Sequence, residues 1–448
     1  MASNILILGG GFAGLTAARR LERKLPPHAA KVTLVNDVNF MLYTPLLPGA
    51  AGGTLEPRHV VIPLREELRS TELRIAEVIG ADPSTRTVHV RPGESGQEEE
   101  LHYDQLIVAL GSTSRTLPIP GLAEHAKGFK TLSEAIALRN RLVETLEHAE
   151  GLENEADRRA LLTYVVIGAG YAGLEGLAEL QDFGADVVDL YPRCRVTGMR
   201  FVLIEARERV MGEIPASLAE YATAELRRRG IEVLVSTRVE RISADSLELS
   251  TGEIIPTRTV AWTAGVKPHP VVSRLGMPLD GGGRLATDSS CAVTGVADVW
   301  AIGDASAIPD PARPGEPSPP TAQHALRQAK VAADNVLHVM SGSPKRSTFT
   351  YKTLGVFVDM GRHQAVAQTV GIKWRGFPAW FLARSYHLAL MPGAKRRLRL
   401  VTDWTVGLMF GRDSSELGQL GHPPRLEEHS AGGTGGDQPA DSSGRLVP

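Results

Sequence analysis

Residues 4–14 read NILILGGGFAG, a short apolar run followed by glycines spaced G-x-G-x-x-G at Gly9, Gly11 and Gly14. Residues 15–24 have helical composition, so the stretch predicts a strand, a tight turn and a helix. One glycine permits the turn, one lets the backbone approach a pyrophosphate, and one lets helix and strand pack closely. The helix N-terminus adds free N–H groups for the anion. We therefore expect a dinucleotide-binding α/β fold here.

The ribose of that nucleotide has two candidate ligands. A second strand is predicted at residues 31–35 and is followed by Asn36, 22 residues after Gly14. At about 20 residues an acidic side chain usually binds the ribose hydroxyls. The amide of Asn36 can both accept and donate, and the adjacent Asp37 could supply a carboxylate. Either contact, or a plain turn without one, is open at this point.

A second copy of the motif occupies residues 164–173, YVVIGAGYAG, with glycines at Gly168, Gly170 and Gly173. Residues 174–183 continue as a predicted helix. A single match is weak in a chain with 46 glycines, but two matches in the same strand, turn and helix setting are not. The sequence therefore predicts two nucleotide-binding folds in one chain.

The second fold favours NADH over NADPH. Its next strand is predicted at residues 201–204 and ends at Glu205, after a stretch at 187–198 that we interpret as a loop insertion. A carboxylate at a strand end accepts hydrogen bonds from both ribose hydroxyls and repels a 2′-phosphate. Arg207 and Arg209 weaken this inference, because arginines just past this strand can bind a 2′-phosphate.

The composition of the 448 residues excludes several classes of protein. At roughly 150 residues per domain the length predicts two to three domains. Apolar residues make up 42% and charged residues 22%, and the net charge of −2 does not indicate nucleic-acid binding. The two cysteines, Cys194 and Cys291, form no C-x-x-C motif, so we expect a reducing compartment and no metal site. Neither a secretion signal nor a membrane-spanning run is predicted.

Three further segments, with the two folds, resemble the two-dinucleotide-binding-domain flavoproteins, which hold FAD in the first fold and a nicotinamide dinucleotide in the second. Residues 106–112 (LIVALGS) and 261–266 (AWTAGV) are similar to the strand and glycine turn that close each domain. Residues 299–306 (VWAIGDAS) are similar to the superfamily's strand ending in Gly-Asp. The resemblance implies that Asp304 binds the ribityl chain of non-covalently bound FAD.

Within that superfamily the chain resembles the type II NADH dehydrogenases, single-subunit NADH:quinone oxidoreductases of respiratory electron transport that pump no protons. Residues 39–53 (NFMLYTPLLPGAAGG) are similar to the family's Pro-Leu-Leu segment beside the isoalloxazine. Residues 168–180 place Glu175 where the family has a glutamate near the nicotinamide. Residues 320–329 (PTAQHALRQA) resemble its Ala-Gln-x-Ala-x-Gln signature, although Ala329 stands where the family often has Gly. Asn36 replaces the family's usual acidic residue.

The resemblance implies a site built from both folds, with Glu175 and Gln323 as catalytic residues for positioning and proton relay. The residues expected to bind FAD are Gly9, Gly11, Phe12, Ala13, Gly14, Asn36, Pro45, Val78, Ala109, Gly111, Gly303, Asp304 and Ala322. The residues expected to bind NADH are Gly168, Gly170, Tyr171, Gly173, Glu205, Ala264 and Gly265.

The predicted fold class is α/β, with two Rossmann-like dinucleotide-binding domains and a C-terminal α+β region that carries amphipathic, membrane-docking helices. The predicted boundaries are 1–120 for the first part of the FAD-binding domain, 121–160 for a helical connection, 161–270 for the NADH-binding domain, 271–345 for the second part of the FAD-binding domain, 346–422 for the C-terminal quinone and membrane-docking region, and 423–448 for a disordered tail.

The C-terminal region is basic, with 11 Lys and Arg against 4 Asp and Glu in residues 346–422. Two apolar stripes at helical spacing and one basic run lie within residues 374–410. The first stripe is Phe377, Trp380, Phe381, Leu388 and Met391, with Arg384 among them, the second is Val401, Trp404 and Leu408, and the basic run is Lys395, Arg396, Arg397 and Arg399.

Such stripes commonly pack against the body of a protein or a second subunit, but the resemblance favours a membrane surface, because quinones are dissolved in the bilayer. The expected partners are thus a membrane quinone and the cytoplasmic side of the cell membrane, bound peripherally. The resemblance also allows a homodimer.

Other functions are open on the sequence alone. A soluble NADH-dependent reductase of a ferredoxin-like or other redox protein would use the basic C-terminal face for an acidic partner. A sulfide:quinone reductase has a similar layout, but neither cysteine matches those that carry sulfur in that family, so a thiol mechanism is disfavoured. A signalling protein tuned by its redox state would oxidise NADH slowly with any acceptor.

Overall fold

The computed structural model describes residues 3–93, 96–353 and 355–416. The elements up to residue 114 are β1 (Ser3–Leu8), α1 (Phe12–Lys24), β2 (Ala30–Asn36), β3 (Phe40–Leu42), α2 (Leu47–Ala51), β4 (Val61–Pro63), α3 (Leu64–Glu67), β5 (Glu72–Asp82), β6 (Thr87–Pro92), β7 (Glu99–His102), β8 (Gln105–Val108) and β9 (Ser112–Ser114). The next elements are α4 (Leu122–His125), β10 (Ala126–Gly128), α5 (Leu132–Gly151), α6 (Glu155–Leu161), β11 (Thr163–Ile167), α7 (Tyr171–Val187), α8 (Pro192–Thr197), β12 (Arg200–Ile204), α9 (Ala216–Arg228), β13 (Ile231–Leu234), β14 (Val239–Ile242), β15 (Ser246–Leu249), β16 (Ile254–Pro256), β17 (Thr259–Trp262) and β18 (Val266–Pro268). The last elements are β19 (Val299–Ala301), α10 (Ala322–Met340), β20 (Gly355–Asp359), β21 (Ala365–Thr369), β22 (Ile372–Arg375), α11 (Gly376–Leu390) and α12 (Ala394–Met409).

The first domain is a seven-stranded sheet in the order β19-β8-β1-β2-β5-β6-β7. Strand β1 is parallel to both of its neighbours, and β5 to β7 form an antiparallel edge. Alternate residues of β1 enter two different cores, because helices α1 and α10 cover one face and a second apolar cluster covers the other. Strand β19 forms one edge of this sheet although it follows the second domain in sequence.

Helices α1 and α10 hold the two distant parts of this domain together. Small residues of both helices share one apolar cluster, so the helices approach closely. At their edge Asp334 accepts hydrogen bonds from Arg20 and Lys24 at 2.5 and 2.9 Å. Burial acts to raise the pKa of Asp334, but these hydrogen bonds outweigh it, so the pKa lies below its ordinary value. Residues 299–340 are therefore integral to the first fold.

The second domain is a five-stranded parallel sheet in the order β10-β17-β11-β12-β13. Strand β11 is fully buried, since helices α5, α7 and α9 cover one face and the antiparallel sheet β14-β15-β16 covers the other. Both predicted Rossmann-like domains are thus present. Strand β10 pairs with β17 and α5 packs on this core, so residues 121–160 are part of the second domain rather than a separate connection.

The interpretation of residues 187–198 as a loop insertion is wrong. The segment forms a 3₁₀ turn and then helix α8, which packs against α5. Pro192 starts this helix, where its missing N–H costs nothing, and the carboxylate of Glu150 accepts the N–H groups of Arg193 and Cys194. Cys194 is buried in the same cluster.

The C-terminal region is an antiparallel sheet, β20-β21-β22, followed by helices α11 and α12. Arg396 of α12 is buried and donates to the Val61 carbonyl and to Glu66, and Asp403 accepts from His59 at 2.6 Å. None of the helices in the described part of the chain combines the length and apolar character needed to cross a membrane. The tail predicted at 423–448 lies outside the described residues.

Candidate active site

A cavity of about 1310 Å³ lies at the carboxyl ends of the first sheet and reaches the second domain and helix α11. This is the edge where an open α/β sheet binds its ligand. The predicted residues that line it are Gly9, Gly11, Phe12, Ala13, Asn36, Pro45, Ala109, Gly111, Tyr171, Glu175, Gly265, Gly303, Asp304, Ala322 and Gln323. The structure thus brings both predicted catalytic residues to one cavity.

The first glycine motif is shaped for close backbone approach. A Cβ added at Gly14 would lie 1.8 Å from the carbonyl oxygen of Gly9, so this position tolerates no side chain. Gly11 is different, because a Cβ there would meet nothing within 4 Å, at a position that lines the cavity. Gly11 also caps α1 without any side-chain hydrogen bond to the helix. The turn thus offers N–H groups and open space to a phosphate.

Asn36 and Glu205 have corresponding roles in the two folds. The Asn36 side-chain oxygen accepts the N–H of Gly10 at 2.6 Å, and Glu205 accepts the N–H of Ala169 at 2.8 Å. Each residue therefore ties the end of its second strand to the middle of its glycine turn. Asp37 also lines the cavity, so both candidate ribose ligands of the first fold reach it.

The opposite wall of the cavity carries an ion cluster that sequence reasoning found only in part. Ser112 donates from its hydroxyl to Asp304 at 2.5 Å, and Lys130 donates to Ser112 at 2.8 Å. Burial lowers the pKa of Lys130, and the charge of Asp304 opposes that shift. Lys130, which the sequence did not single out, has a local signal, because Thr131 and Glu134 form a capping box at the start of α5 immediately after it.

Gln323 is held in one orientation at the start of α10. Its nitrogen donates to the Gly355 carbonyl at 3.2 Å, and its oxygen accepts from the Tyr351 hydroxyl at 2.5 Å. The guanidinium of Arg327 lies 3.8 Å from the centre of the Tyr351 ring. Gln328 has a structural role, because its side chain accepts the N–H of Gly303 at 2.9 Å. Tyr351 is a positioning residue that the sequence did not single out.

Glu175 lies on the first turns of α7, where the second fold faces the same cavity. Its carboxylate accepts the N–H of Asp359 at 2.9 Å. Burial raises the pKa of Glu175 well above its usual range, and the nearby carboxylates of Asp359 and Glu179 add to the shift. A buried carboxyl that favours its protonated form is suited to proton transfer in the cavity.

The second glycine motif has the same constraint as the first. A Cβ added at Gly173 would lie 1.9 Å from the carbonyl oxygen of Gly168. Gly170 again caps its helix, α7, without a side-chain bond, and a Cβ there would meet nothing within 4 Å. These glycines, with Glu205 and Ala264, surround the turn of the second fold and lie outside the lining of the large cavity. They form a separate half of the site.

Two arginines beside Glu205 bear on cofactor choice. Arg209 donates to the carbonyls of Gly212 and Ile214 at 2.7 and 2.9 Å, so this guanidinium is already used by the backbone. Arg207 is exposed, and its N–H donates to Glu205 at 2.9 Å. One of the two arginines that weakened the preference for NADH is therefore engaged elsewhere.

Val78 does not fit the predicted site. Its side chain is buried among apolar residues of strands β5, β6 and β8, and it does not line the cavity. Since successive residues of a strand point to opposite faces, the position of Val78 on β5 directs it into the core. The structure gives this residue a packing role.

Comparison with known proteins places this arrangement in a family. Residues 3–329 match the family described as pyridine nucleotide-disulphide oxidoreductase. The chain belongs to this family. It is 30% identical to the internal alternative NAD(P)H-ubiquinone oxidoreductase A1 of Arabidopsis thaliana, over 92% of this chain and 85% of that protein. It is 28% identical to the type II NADH:quinone oxidoreductase Ndh of Mycobacterium tuberculosis, over 93% and 89%.

A solved structure extends the likeness through the C-terminal region. NDH2 from Plasmodium falciparum in complex with NADH superposes with a TM-score of 0.85, covering 93% of this chain and 100% of that one, at 19% identity. The resemblance to type II NADH dehydrogenases is thus confirmed, and the chain is an oxidoreductase. Cys194 and Cys291 are both free and buried, and burial raises the pKa of Cys194 to about 12.

Proposed function

We propose that the protein is an FAD-dependent NADH:quinone oxidoreductase that reduces a membrane quinone without pumping protons. One observation carries the proposal: Glu175 from the second fold and Gln323 from the first line a single cavity. An electron donor bound to the second fold and an acceptor beside Gln323 would therefore share that cavity. The names of the relatives in Arabidopsis and Mycobacterium support this donor and this acceptor.

The residues of the first fold fit FAD. The open positions at Gly11 and Gly111 leave room where a Cβ would meet nothing, and the N-terminus of α1 faces the cavity. Asp304 lies at the end of β19, where its carboxylate accepts from Ser112 and has Lys130 nearby. When bound, FAD supplies the two-electron chemistry that side chains lack. The protein would hold it through Gly11, Asn36 and Asp304 and exclude water with the surrounding wall.

The second fold would bind NADH by its turn and by Glu205. The N-terminus of α7 offers N–H groups at Gly170 and Tyr171 to the pyrophosphate. Glu205 would accept the ribose hydroxyls while keeping its bond from Ala169. Because Tyr171 and Glu175 line the large cavity, a nucleotide on this turn would extend toward it.

The quinone would bind at the end of the cavity nearest α11. Pro45 and Phe357 give this end an apolar wall, and His387 and Leu390 extend it along α11. Gln323 would present its amide to a quinone carbonyl while Tyr351 and Gly355 hold it in place. A long apolar tail would leave this end toward the surface of α11.

Helices α11 and α12 would dock on the membrane. Phe377 and Phe381 of α11 are each 58% exposed, and α12 exposes further apolar side chains. Those of α12 and its end are Leu398, Val401, Val406, Leu408, Met409 and Phe410. An exposed apolar surface of this kind marks a protein or membrane contact.

The predicted stripes are only partly on that surface. Trp380, Met391 and Arg396 are buried, so the predicted basic run of four contributes three exposed cations. At about 1 kcal/mol each near an anionic surface, these cations would add about 3 kcal/mol to docking. Docking would occur on the cytoplasmic side of the cell membrane. The homodimer stays a prediction, for which light scattering in detergent is the measurement.

The reaction is tested with Gln323→Leu. We expect quinone-dependent NADH oxidation to fall at least tenfold, about 1.4 kcal/mol of transition-state stabilisation, while bleaching of the flavin by NADH alone keeps its wild-type rate. Gln368→Leu is the matched control, since Gln368 lies on β21 outside the cavity lining. Rapid bleaching with negligible quinone turnover in the wild-type protein would exclude a quinone acceptor and favour a ferredoxin-like partner.

Docking is tested by sedimentation with vesicles that contain anionic lipid. We expect Phe377→Ser with Phe381→Ser to abolish co-sedimentation while leaving turnover of a short-chain, water-soluble quinone unchanged. Added salt should weaken binding of the wild-type protein. Unchanged sedimentation of the double variant would show that these helices are not the docking surface.

A further inference from the structure

Reduction of a quinone consumes a proton from water, and this inference rests on the proposed function. The balanced reaction is NADH + H⁺ + quinone → NAD⁺ + quinol. The hydride of NADH accounts for two electrons and one proton, and the quinol needs a second proton. Since the cavity wall is largely apolar, that proton needs a path from the surface to the site.

A second, much smaller cavity lies behind Glu175. Its volume is about 40 Å³, and it shares Pro45, Pro48, Glu175, Phe357 and His387 with the lining of the large cavity. Its polar lining also includes Glu179, Asp359 and Arg384. A buried water needs roughly 10–15 Å³ of such space and two to four polar partners. The small cavity thus has room and partners for one or two waters between Glu175 and Glu179.

A row of carboxylates leads from this cavity to the surface. Glu175, Glu179, Asp182 and Asp186 are spaced by four, three and four residues along α7, which puts them on one face of the helix. Arg412 joins the outer members, lying 3.4 Å from the carboxylate oxygens of Glu179, Asp182 and Asp186 alike. The side chain of Asp186 is 47% exposed. The row therefore begins in solvent and ends in the large cavity.

We propose that Glu179 passes protons from this acidic row, through water in the small cavity, to Glu175, and so supplies the proton that quinone reduction consumes. In each transfer a carboxyl O–H bond breaks as a water or carboxylate O–H bond forms, and further transfers in the same direction, inward from solvent, reprotonate the row. Glu175 is the member that meets the large cavity. Glu179 does not meet the large cavity and acts through Glu175, so it is a positioning residue and not a catalytic one.

The charges around Glu179 suit this role. Glu175 and Asp182 face it from its own helix, Asp359 from the end of β20, and Arg412 from the segment after α12. Arg384 and His387 face it from α11. Burial raises the pKa of Glu179 to about 7, and the charge of Arg412 opposes the shift. Burial also lowers the pKa of His387 to about 4, so that its ring is neutral at the working pH.

The test compares Glu179→Gln with Glu225→Gln in the full-length, flavin-loaded protein. Glu225 is a matched control, because it is a largely buried glutamate paired with Arg228 on α9, away from both cavities. Stopped-flow absorbance would follow reduction by NADH and reoxidation by a short-chain quinone separately. We expect Glu179→Gln to slow reoxidation about 10²-fold, with a solvent isotope effect, and to leave reduction by NADH unchanged.

A second readout needs no turnover. Infrared difference spectra between acidic and alkaline solution should contain bands of buried, protonated carboxyls in the wild-type protein and in Glu225→Gln. One of these bands should disappear in Glu179→Gln, while that of Glu175 remains. If the wild-type protein failed to reduce quinone, the proposed function would fail while this titration would still report on the row. Wild-type rates in Glu179→Gln, or equal slowing of both half-reactions, would overturn the relay.

A variant that keeps every carboxyl distinguishes loss of the relay from a folding defect in Glu179→Gln. Ala383 lines the small cavity and is buried, so Ala383→Val would fill part of the proposed water site. We expect reoxidation to slow while the infrared bands stay. Reoxidation at the wild-type rate in this variant would show that water in the small cavity does not carry the proton.

Discussion

Replacing Glu205 with Gln tests how the second fold selects its nucleotide. The Glu205 carboxylate accepts the N–H of Ala169 through one oxygen, at 2.8 Å, and that of Arg207 through the other, at 2.9 Å. Both oxygens are therefore oriented at the end of β12, beside the glycine turn. Gln keeps one acceptor oxygen, and its NH₂ group would face a backbone N–H that also donates.

The magnitude follows from the lost charge. A hydrogen bond to a charged group contributes roughly 1.5–3 kcal/mol, against about 1 kcal/mol for a neutral one. Loss of about 2 kcal/mol of ribose binding weakens the affinity for NADH about 30-fold. The opposite sign holds for NADPH, because the carboxylate repels a 2′-phosphate and its removal relieves that repulsion. The preference for NADH should therefore fall by about 10²-fold.

The assay is equilibrium titration of the oxidised protein with NAD⁺ and with NADP⁺, followed by the change in flavin fluorescence. These oxidised nucleotides carry the same ribose and 2′-phosphate as NADH and NADPH but cannot reduce the flavin. Glu208→Gln is the matched control, since this exposed carboxylate three residues later undergoes the same charge change without facing the turn. Equal weakening of NADH and NADPH in Glu205→Gln would mean that the variant only disturbs the turn. The same loss in Glu208→Gln would refute a specific contact at Glu205.

Three further outcomes are expected. Gly14→Ala places a Cβ 1.8 Å from the Gly9 carbonyl oxygen, so the protein should purify without flavin; a wild-type ratio of flavin to protein absorbance would contradict this. Arg229→Met removes a buried guanidinium that donates to Gln181 and to the Ala178 and Met360 carbonyls as well as to Asp182. Because these buried acceptors lose their donor, the change should cost about 3–5 kcal/mol in urea unfolding, and a loss below about 1 kcal/mol would be the contrary result. Burial raises the pKa of Glu179 from 4.5 to about 7, so its stabilising contribution is complete below about pH 4.5 and is lost as the pH rises through 7. The stability of Glu179→Gln relative to the wild-type protein should therefore increase over that pH range. A difference in urea midpoints that stays constant with pH would exclude this effect.

The parts of the fold that the sequence predicted well are those determined by local sterics. Both glycine turns were predicted because Gly14 and Gly173 leave no room for a Cβ, and that constraint is written into the spacing itself. Strand β1 extends one residue beyond its predicted bounds at one end and β2 one residue at each end, while helix α1 begins three residues earlier than predicted. Asn36 could be singled out because its distance from Gly14 reflects the length of a helix and a strand.

The parts that it missed depend on contacts between distant segments. Lys130 and Ser112 meet because β9 and the start of α5 converge on Asp304, and no spacing rule encodes that meeting. Tyr351 reaches Gln323 from a segment without regular structure. The basic run was overestimated for a similar reason, since the sequence shows that Arg396 neighbours other cations but not that the rotation of α12 turns it toward Glu66.

Helix α7 explains why the C-terminal region is needed by the rest of the chain. A row of buried carboxylates on one helix is destabilising unless cations neutralise it. Asp182 illustrates the solution, because Arg229 of the second domain, Arg362 and Arg412 all bind its carboxylate. Two of these three arginines lie beyond residue 345, and so does Asp359, whose N–H binds Glu175. Without residues 346–416, the acidic face of α7 would keep one arginine at Asp182 and none at Glu179, so the C-terminal region completes the second domain electrostatically.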